Sequence, residues 1–277
     1  MEEDELVIRL SPLSGSPESA EILTSVEPDK TTNTLVAKVF DTETRELVPN
    51  VAVKLELDVV ETSGGHDHHD ANRPKGEFSS PSGAVNPDRT VLNGNTSADG
   101  LQFTLKAPAL AGDHTITASC TDRTCTQEGP DSIWVGVKGL VSLSASDNYV
   151  LLHNRDTKHP TNHHMSPRAA KKLAKLAEAY HKKFPKDLTL RLNDASLERG
   201  GVFDFDFPGR SIFWRPPHDK HRRGLNIDVR ANPKFNADAI PEGNFPTFEQ
   251  LAGQRVGCKA VLHDAGKKTQ HYHVTCP

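Results

Sequence analysis

Between residues 34 and 139 apolar and polar side chains alternate in five short runs: TLVAKVFD (34–41), VAVKLELDVV (51–60), LQFTLKAP (101–108), HTITASC (114–120) and SIWVGVKG (132–139). Alternation sends every second side chain to the same face, so each run predicts a strand with one buried and one wet side. Pro, Gly, Asn and Asp fill the gaps, and NTSADG (95–100) supplies a turn. Residues 1–140 therefore predict an antiparallel β-sandwich. Past residue 166 the period lengthens. Ser166-Pro167 is a helix start, and Leu173, Leu176, Ala177 and Tyr180 form a stripe at helical spacing that ends before Pro185. DLTLRLND (187–194) then predicts a strand and ERGG (198–201) a turn. The second domain, 166–277, is expected to be α+β around a central antiparallel sheet, with residues 141–165 as a linker.

Composition changes this picture little. The chain has 277 residues, enough for two ordinary domains. Its 33 basic and 37 acidic residues give a formal charge of -4, and no basic run interleaves with aromatics, which removes nucleic acid as a partner. No apolar run reaches the roughly 20 residues of a membrane-spanning helix. MEEDELVIRL lacks the charged-then-apolar order of a secretory signal, so export would rest on a signal already removed or on another route.

Four cysteines are more informative. Cys120 and Cys125 flank TDRT at a spacing that suits a bridge across a hairpin mouth, with two free thiols as the alternative. If AGKKT (265–269) turns a hairpin about Lys267, Cys258 lies opposite Cys276 and the two form a cross-strand disulfide. The same register sets His263 opposite His271 and Val261 opposite His273, with the histidines on one face and the cysteines on the other. Paired cysteines favour an oxidising compartment, periplasmic or extracellular.

Histidine is the unusual residue, with 14 in the chain. His66, His68 and His69 lie in the tract SGGHDHHDANRPKG (63–76), which reads as a solvated loop with weak zinc or copper scavenging as the alternative. His153, His159, His163 and His164 in the linker read as solvated, though one could line a groove. Two other stretches carry sharper chemistry: HDKHRRGLNIDVR (218–230) and QHYHVTCP (270–277). A catalytic zinc usually keeps three nitrogen or oxygen ligands and an open position. His221 and Asp228 offer one of each, with Gly224 turning the backbone between them and Ile227 and Val229 anchoring the strand. His271 and His273 project from one strand face about 7 Å apart at the backbone, so that one can bind metal while the other reaches water at the metal.

These residues carry a resemblance. HDKHRRGLNIDV, with PPH at its head, resembles the first zinc motif of the penicillin-insensitive murein endopeptidases, HYHVTCP resembles their C-terminal motif, and SLERGG (196–201) resembles their arginine-glycine turn. That family belongs to the lysostaphin, D-Ala-D-Ala metallopeptidase and hedgehog fold group, and the resemblance spans roughly residues 150–277. It implies Zn2+ on His221, Asp228 and His273, with His271 as the catalytic group and His218 beside the ligands. Lys220, Arg222 and Asn226 depart from the family, which has a serine, a glutamine and an acidic residue there. Gln270 stands where the dipeptidase and carboxypeptidase relatives have a glutamate base, which favours the His-x-His mechanism. The first domain is similar in pattern to bacterial immunoglobulin-like modules.

The resemblance thus implies metal-assisted hydrolysis of amide bonds in peptidoglycan cross-bridge peptides, with His271 moving protons. Arg199 would hold a substrate carboxylate or form a structural ion pair, and His263 would stand behind the ligands or touch substrate. The competing expectations are a non-catalytic zinc-binding wall or ligand protein, and a surface adhesin whose histidines are incidental.

Overall fold

The computed structural model describes residues 5–13, 32–67, 73–129, 132–152, 159–187, 189–202, 205–207, 210–212 and 220–277, with only the backbone described for 205–207 and 210–212. The fold is mostly β-sheet. It divides into two compact units, one formed by Met1–Ser63 with His69–Gly136 and the other by Gly64–His68 with Val137–Pro277.

The first unit contains β1 (Leu6–Pro12), β2 (Thr32–Asp41), β3 (Ala52–Val59), β4 (Glu77–Ser79), β5 (Ala84–Val85), β6 (Val91–Asn95), β7 (Leu101–Lys106), β8 (Gly112–Cys120), β9 (Cys125–Glu128) and β10 (Ser132–Val135). They form two five-stranded sheets, ordered β4-β7-β2-β1-β9 and β10-β8-β3-β6-β5. Ile8, Val39 and Phe103 of one sheet share a core with Leu55, Leu57 and Ile116 of the other. All five runs that alternate in the sequence contain strands here. Most of their apolar residues on one face are buried, as burial of one face requires, while Val60 at the end of its run is exposed. Cys120 and Cys125 are bonded, yet they do not close a hairpin mouth. Cys120 ends β8 in one sheet and Cys125 opens β9 in the other, where β9 runs parallel to β1, so the bridge staples sheet to sheet.

The second unit contains β11 (Val141–Ser142), β12 (Tyr149–Leu151), β13 (His164–Met165), α1 (Pro167–Lys183), β14 (Leu190–Leu192), β15 (Phe205–Phe207), β16 (Arg210–Ile212), β17 (Asn226–Arg230), α2 (Phe245–Gln250), β18 (Lys259–His263) and β19 (His271–Thr275). Residues 141–165, expected to be a linker, thus carry three short strands. The main sheet has the order β12-β14-β17-β19-β18. It is mixed rather than antiparallel, because β12 and β14 are parallel. The helix α1 lies between them in sequence and provides the long connection that a parallel pair needs. Ser166 caps α1 by accepting from the Ala169 backbone N–H at 3.3 Å, with Pro167 in the first turn. Leu173, Leu176, Ala177 and Tyr180 are all buried, in one core with Ile227, Val229, Tyr272 and Val274.

The histidines expected to be solvated are a correction. His66, in the short segment that belongs to this unit, is 1 % exposed, and its Nδ1 lies 3.2 Å from Nε2 of His159, itself 2 % exposed. His163 is also buried and His164 is half-buried. The neighbouring Gly65 lies so close to Leu197 that a Cβ there would come 3.0 Å from the Leu197 Cβ. His68, His69 and His153 lie outside the described residues.

Candidate metal centre

Strands alternate their side chains, and β17 and β19 use that alternation to separate core from chemistry. The pairing sets Asn226 opposite Thr275, Asp228 opposite His273 and Arg230 opposite His271. Ile227, Val229, Tyr272 and Val274 take the core face. Asn226, Asp228, His271, His273 and Thr275 take the other. On the far side β18 pairs His263 with His271 and Val261 with His273, the register expected from a turn about Lys267. Cys258 and Cys276 are bonded on the core side, with a Cα–Cα distance of 4.4 Å.

His221 reaches the same place from a short 3₁₀ turn, His221–Arg223, closed by Gly224 at φ 66°. That backbone conformation suits glycine, and a Cβ there would also lie 2.4 Å from Leu140 Cδ2 and 2.8 Å from the Ser166 nitrogen. The arginine-glycine turn supports the 3₁₀ turn from behind: the Gly201 N–H donates to the Arg222 carbonyl at 3.0 Å, and a Cβ on Gly200 would come 2.5 Å from that same oxygen.

The three side chains converge. Asp228 Oδ1 lies 3.4 Å from His221 Nε2 and 2.9 Å from His273 Nδ1, and the two rings meet edge to face with centroids 5.0 Å apart. All three residues are buried, at 1 %, 3 % and 5 % exposure for His221, Asp228 and His273. Among the described residues this is the one group of three or more His, Cys, Asp or Glu side chains whose ligand atoms lie close enough together, within 4.8 Å, to hold a metal ion. Burial raises the Asp228 pKa, but the charge and close contact of His221, the contact with His273 and the nearby His271 outweigh it and hold the carboxyl well below the usual carboxylate range. Asp228 is therefore a buried anion surrounded by imidazoles.

One tautomer follows from a neighbouring carbonyl group. His271 Nδ1 is 2.8 Å from the Thr269 carbonyl, which can only accept, so Nδ1 carries the hydrogen and Nε2 is the basic atom, 3.6 Å from Asp228 Oδ2. On His273 both ring nitrogens face acceptors. Its Nε2 lies 3.2 Å from Asn226 Oδ1 and its Nδ1 faces Asp228. The donor set fits zinc by its chemistry: two imidazole nitrogens and one carboxylate oxygen, with a histidine whose outward nitrogen is hydrogen-bonded.

The remaining expected residues separate. His263 stands beside the ligands, with its ring 5.4 Å from both His271 and His273 and nearly parallel to the latter. Burial, then the charges of His271, His273 and Lys220, lower its pKa against the opposing pull of Asp228. Gln270 is held away from the ligands, its side chain joining the Ala231 carbonyl to the Gly266 N–H. Arg199 sits in the glycine turn with its Nε 3.9 Å from Glu198. His218 lies outside the described residues. Two residues on the site face were not among those expected to act: Asn226, a departure from the resembled motif, and Thr275. The period-2 pattern N-x-D and H-x-H-x-T, read across the pairing of β17 and β19, would have put both on the site face.

Comparison of the chain with family models and with curated proteins finds no match. A solved structure of a DUF4466 family protein from Parabacteroides merdae ATCC 43184 is similar over 98 % of this chain and 97 % of that one, at 9 % identity and a TM-score of 0.23. A likeness at that level supports no conclusion about fold or function.

Proposed function

We propose that the second unit is a zinc metallopeptidase that hydrolyses amide bonds in peptidoglycan cross-bridge peptides, with the first unit as an immunoglobulin-like accessory domain. The observation that carries this reading is the convergence of His221 Nε2, Asp228 Oδ1 and His273 Nδ1 beside Nε2 of His271. The peptidoglycan substrate rests on the motif resemblance. His221, Asp228 and His273 would hold the ion. When bound, zinc supplies Lewis acidity at a carbonyl and makes water a nucleophile at neutral pH.

The chain's own groups do the rest. Asp228 stays ionised across the neutral range, because its carboxyl is held well below the usual range. His271 keeps its Nδ1 hydrogen on the Thr269 carbonyl, so proton traffic passes through Nε2 alone. At that atom it takes a proton from the attacking water and returns one to the leaving amine. Tyr272, wholly buried between the two histidines in sequence, pins the strand from beneath by donating from its hydroxyl to Glu249 at 2.8 Å.

The test combines elemental analysis with digestion of purified sacculi. One tightly held zinc per chain is expected, together with release of shorter muropeptides that stops on chelation and returns with added zinc. A chain that carries zinc but leaves sacculi intact would be a binding protein, and one that carries none would remove the metal reading altogether.

A further inference from the structure

We propose that Asn226 is a positioning residue that fixes the tautomer of His273, and so decides which ring nitrogen of that histidine is offered to a metal. The inference rests on the metal-site reading above and concerns a residue outside its ligand set.

Asn226 is 8 % exposed and all of its side-chain contacts point the same way. Its Nδ2 donates to the Lys220 carbonyl, and a carbonyl cannot donate, so the amide orientation is determined. Oδ1 must then face the other side, where it accepts from Thr275 Oγ1 at 2.7 Å and lies 3.2 Å from His273 Nε2. An amide oxygen accepts only, so this contact calls for a hydrogen on His273 Nε2. Nδ1 faces a second acceptor, Asp228 Oδ1, 2.9 Å away, so Asn226 and Asp228 compete for the one hydrogen of a neutral ring. Two acceptors at that distance repel unless a cation or a further proton lies between them.

Asn226 thus opposes the tautomer that Asp228 would impose. Left alone with the carboxylate, a neutral His273 would place its one hydrogen on Nδ1 and donate it to Asp228, where it occupies the ligand position. With Asn226 present, the hydrogen is held at Nε2 and the Nδ1 lone pair is ready. The strand register makes the arrangement possible, since Asn226 and Asp228 are two apart on β17 and face Thr275 and His273 on β19. Outer hydrogen-bond partners of ligand histidines commonly contribute 10–100-fold in metal affinity.

The experiment measures zinc affinity by chelator competition for the full chain and for Asn226→Ala and Asn226→Asp, and reads the imidazole nitrogens of the metal-free proteins by NMR after ¹⁵N-histidine labelling. Asn226→Ala should bind zinc roughly 10–100-fold more weakly. Asn226→Asp should stay close to the unmodified chain, because it keeps an oxygen for His273 Nε2 while losing the donor to Lys220. In the metal-free spectra His273 should carry hydrogen at Nε2 in the unmodified chain and at Nδ1 alone in Asn226→Ala. Equal weakening in both variants would show that Asn226 merely braces the Lys220 turn, and undiminished affinity in Asn226→Ala would also overturn the proposal. The metal-free spectrum of the unmodified chain decides even if the alanine variant does not fold: hydrogen found only at Nδ1 sinks it. If the unmodified chain binds no zinc, the metal reading fails separately, and the same spectrum still judges the tautomer.

Discussion

His271 and His273 differ in what their neighbours accept, although they share a strand face. The Thr269 carbonyl takes the Nδ1 hydrogen of His271, and the Asn226 amide oxygen faces Nε2 of His273. With the proposed His273 tautomer, opposite nitrogens are basic on the two rings. One faces the buried carboxylate inside the cluster, and the other belongs to a half-buried ring, 21 % exposed. Substitution should separate the roles. His271→Ala is expected to keep its zinc and lose on the order of 10²-fold or more in turnover, the scale of a missing general acid or base. His273→Ala is expected to lose both. Zinc content and the rate on sacculi, measured on the same preparations, check this, and a metal-free or fully active His271→Ala would show that its assigned role is wrong. The identities of these residues were legible in the sequence, since two histidines at period 2 have to share a strand face. Their tautomers were not legible, because both depend on partners that only the fold brings near.

At the scale of elements, the β18-β19 hairpin joins chemistry to stability. Its outer face carries His263, His271 and His273, while its inner face carries Tyr272, Val274 and the Cys258–Cys276 bridge. Tyr272 packs against Phe245 and Phe248 with ring centroids at 5.3 and 4.9 Å, which ties β19 to α2. The bridge closes a separation of 18 residues, for which the loss of unfolded-chain freedom is worth about 3 kcal/mol. Replacing both cysteines with serine should lower stability to urea by about that amount. Zinc should remain, because the register with β17 holds the histidines independently of the sulfurs. Loss of metal from the folded double variant would show that the bridge sets the site. The register could be read in advance because one turn fixes every pair beyond it, and the cysteines and histidines all pair about Lys267. Strands of two or three residues such as β11 and β13 could not be read, because alternation has no period to show over so few positions. The parallel β12-β14 pair was hidden for another reason: strand direction comes from the α1 connection, which no run within either strand records.

Across the whole molecule, both disulfides are formed and no free cysteine is present, which is compatible with an exported protein. Among the described residues no helix is long and apolar enough to cross a membrane. The alternating pattern runs to about residue 140 and the period lengthens only past residue 166, whereas the units separate between Gly136 and Val137, and nothing in the local pattern gives Gly64–His68 to the second unit. The pH response of stability should be set in part by the first unit. His114 of β8 is 1 % exposed and donates to the Gly112 carbonyl at 3.3 Å. Burial, helped by the Arg73 charge and opposed by the Gly112 hydrogen bond and by Asp113 and Asp58, lowers its pKa from 6.5 to about 4. The unfolded chain therefore binds the extra proton between these two values while the folded chain does not, so stability rises with pH through that window. The contribution is complete above about 6.5 and falls away as pH drops toward 4, by roughly 3 kcal/mol in all. Urea unfolding of the first unit, followed through Trp134 fluorescence in a Trp214→Phe background, should show the midpoint falling from pH 7 to pH 4.5. His114→Gln, which retains a donor for the Gly112 carbonyl but does not titrate, should flatten most of that slope. An unchanged slope in this variant would place the acid sensitivity on other groups.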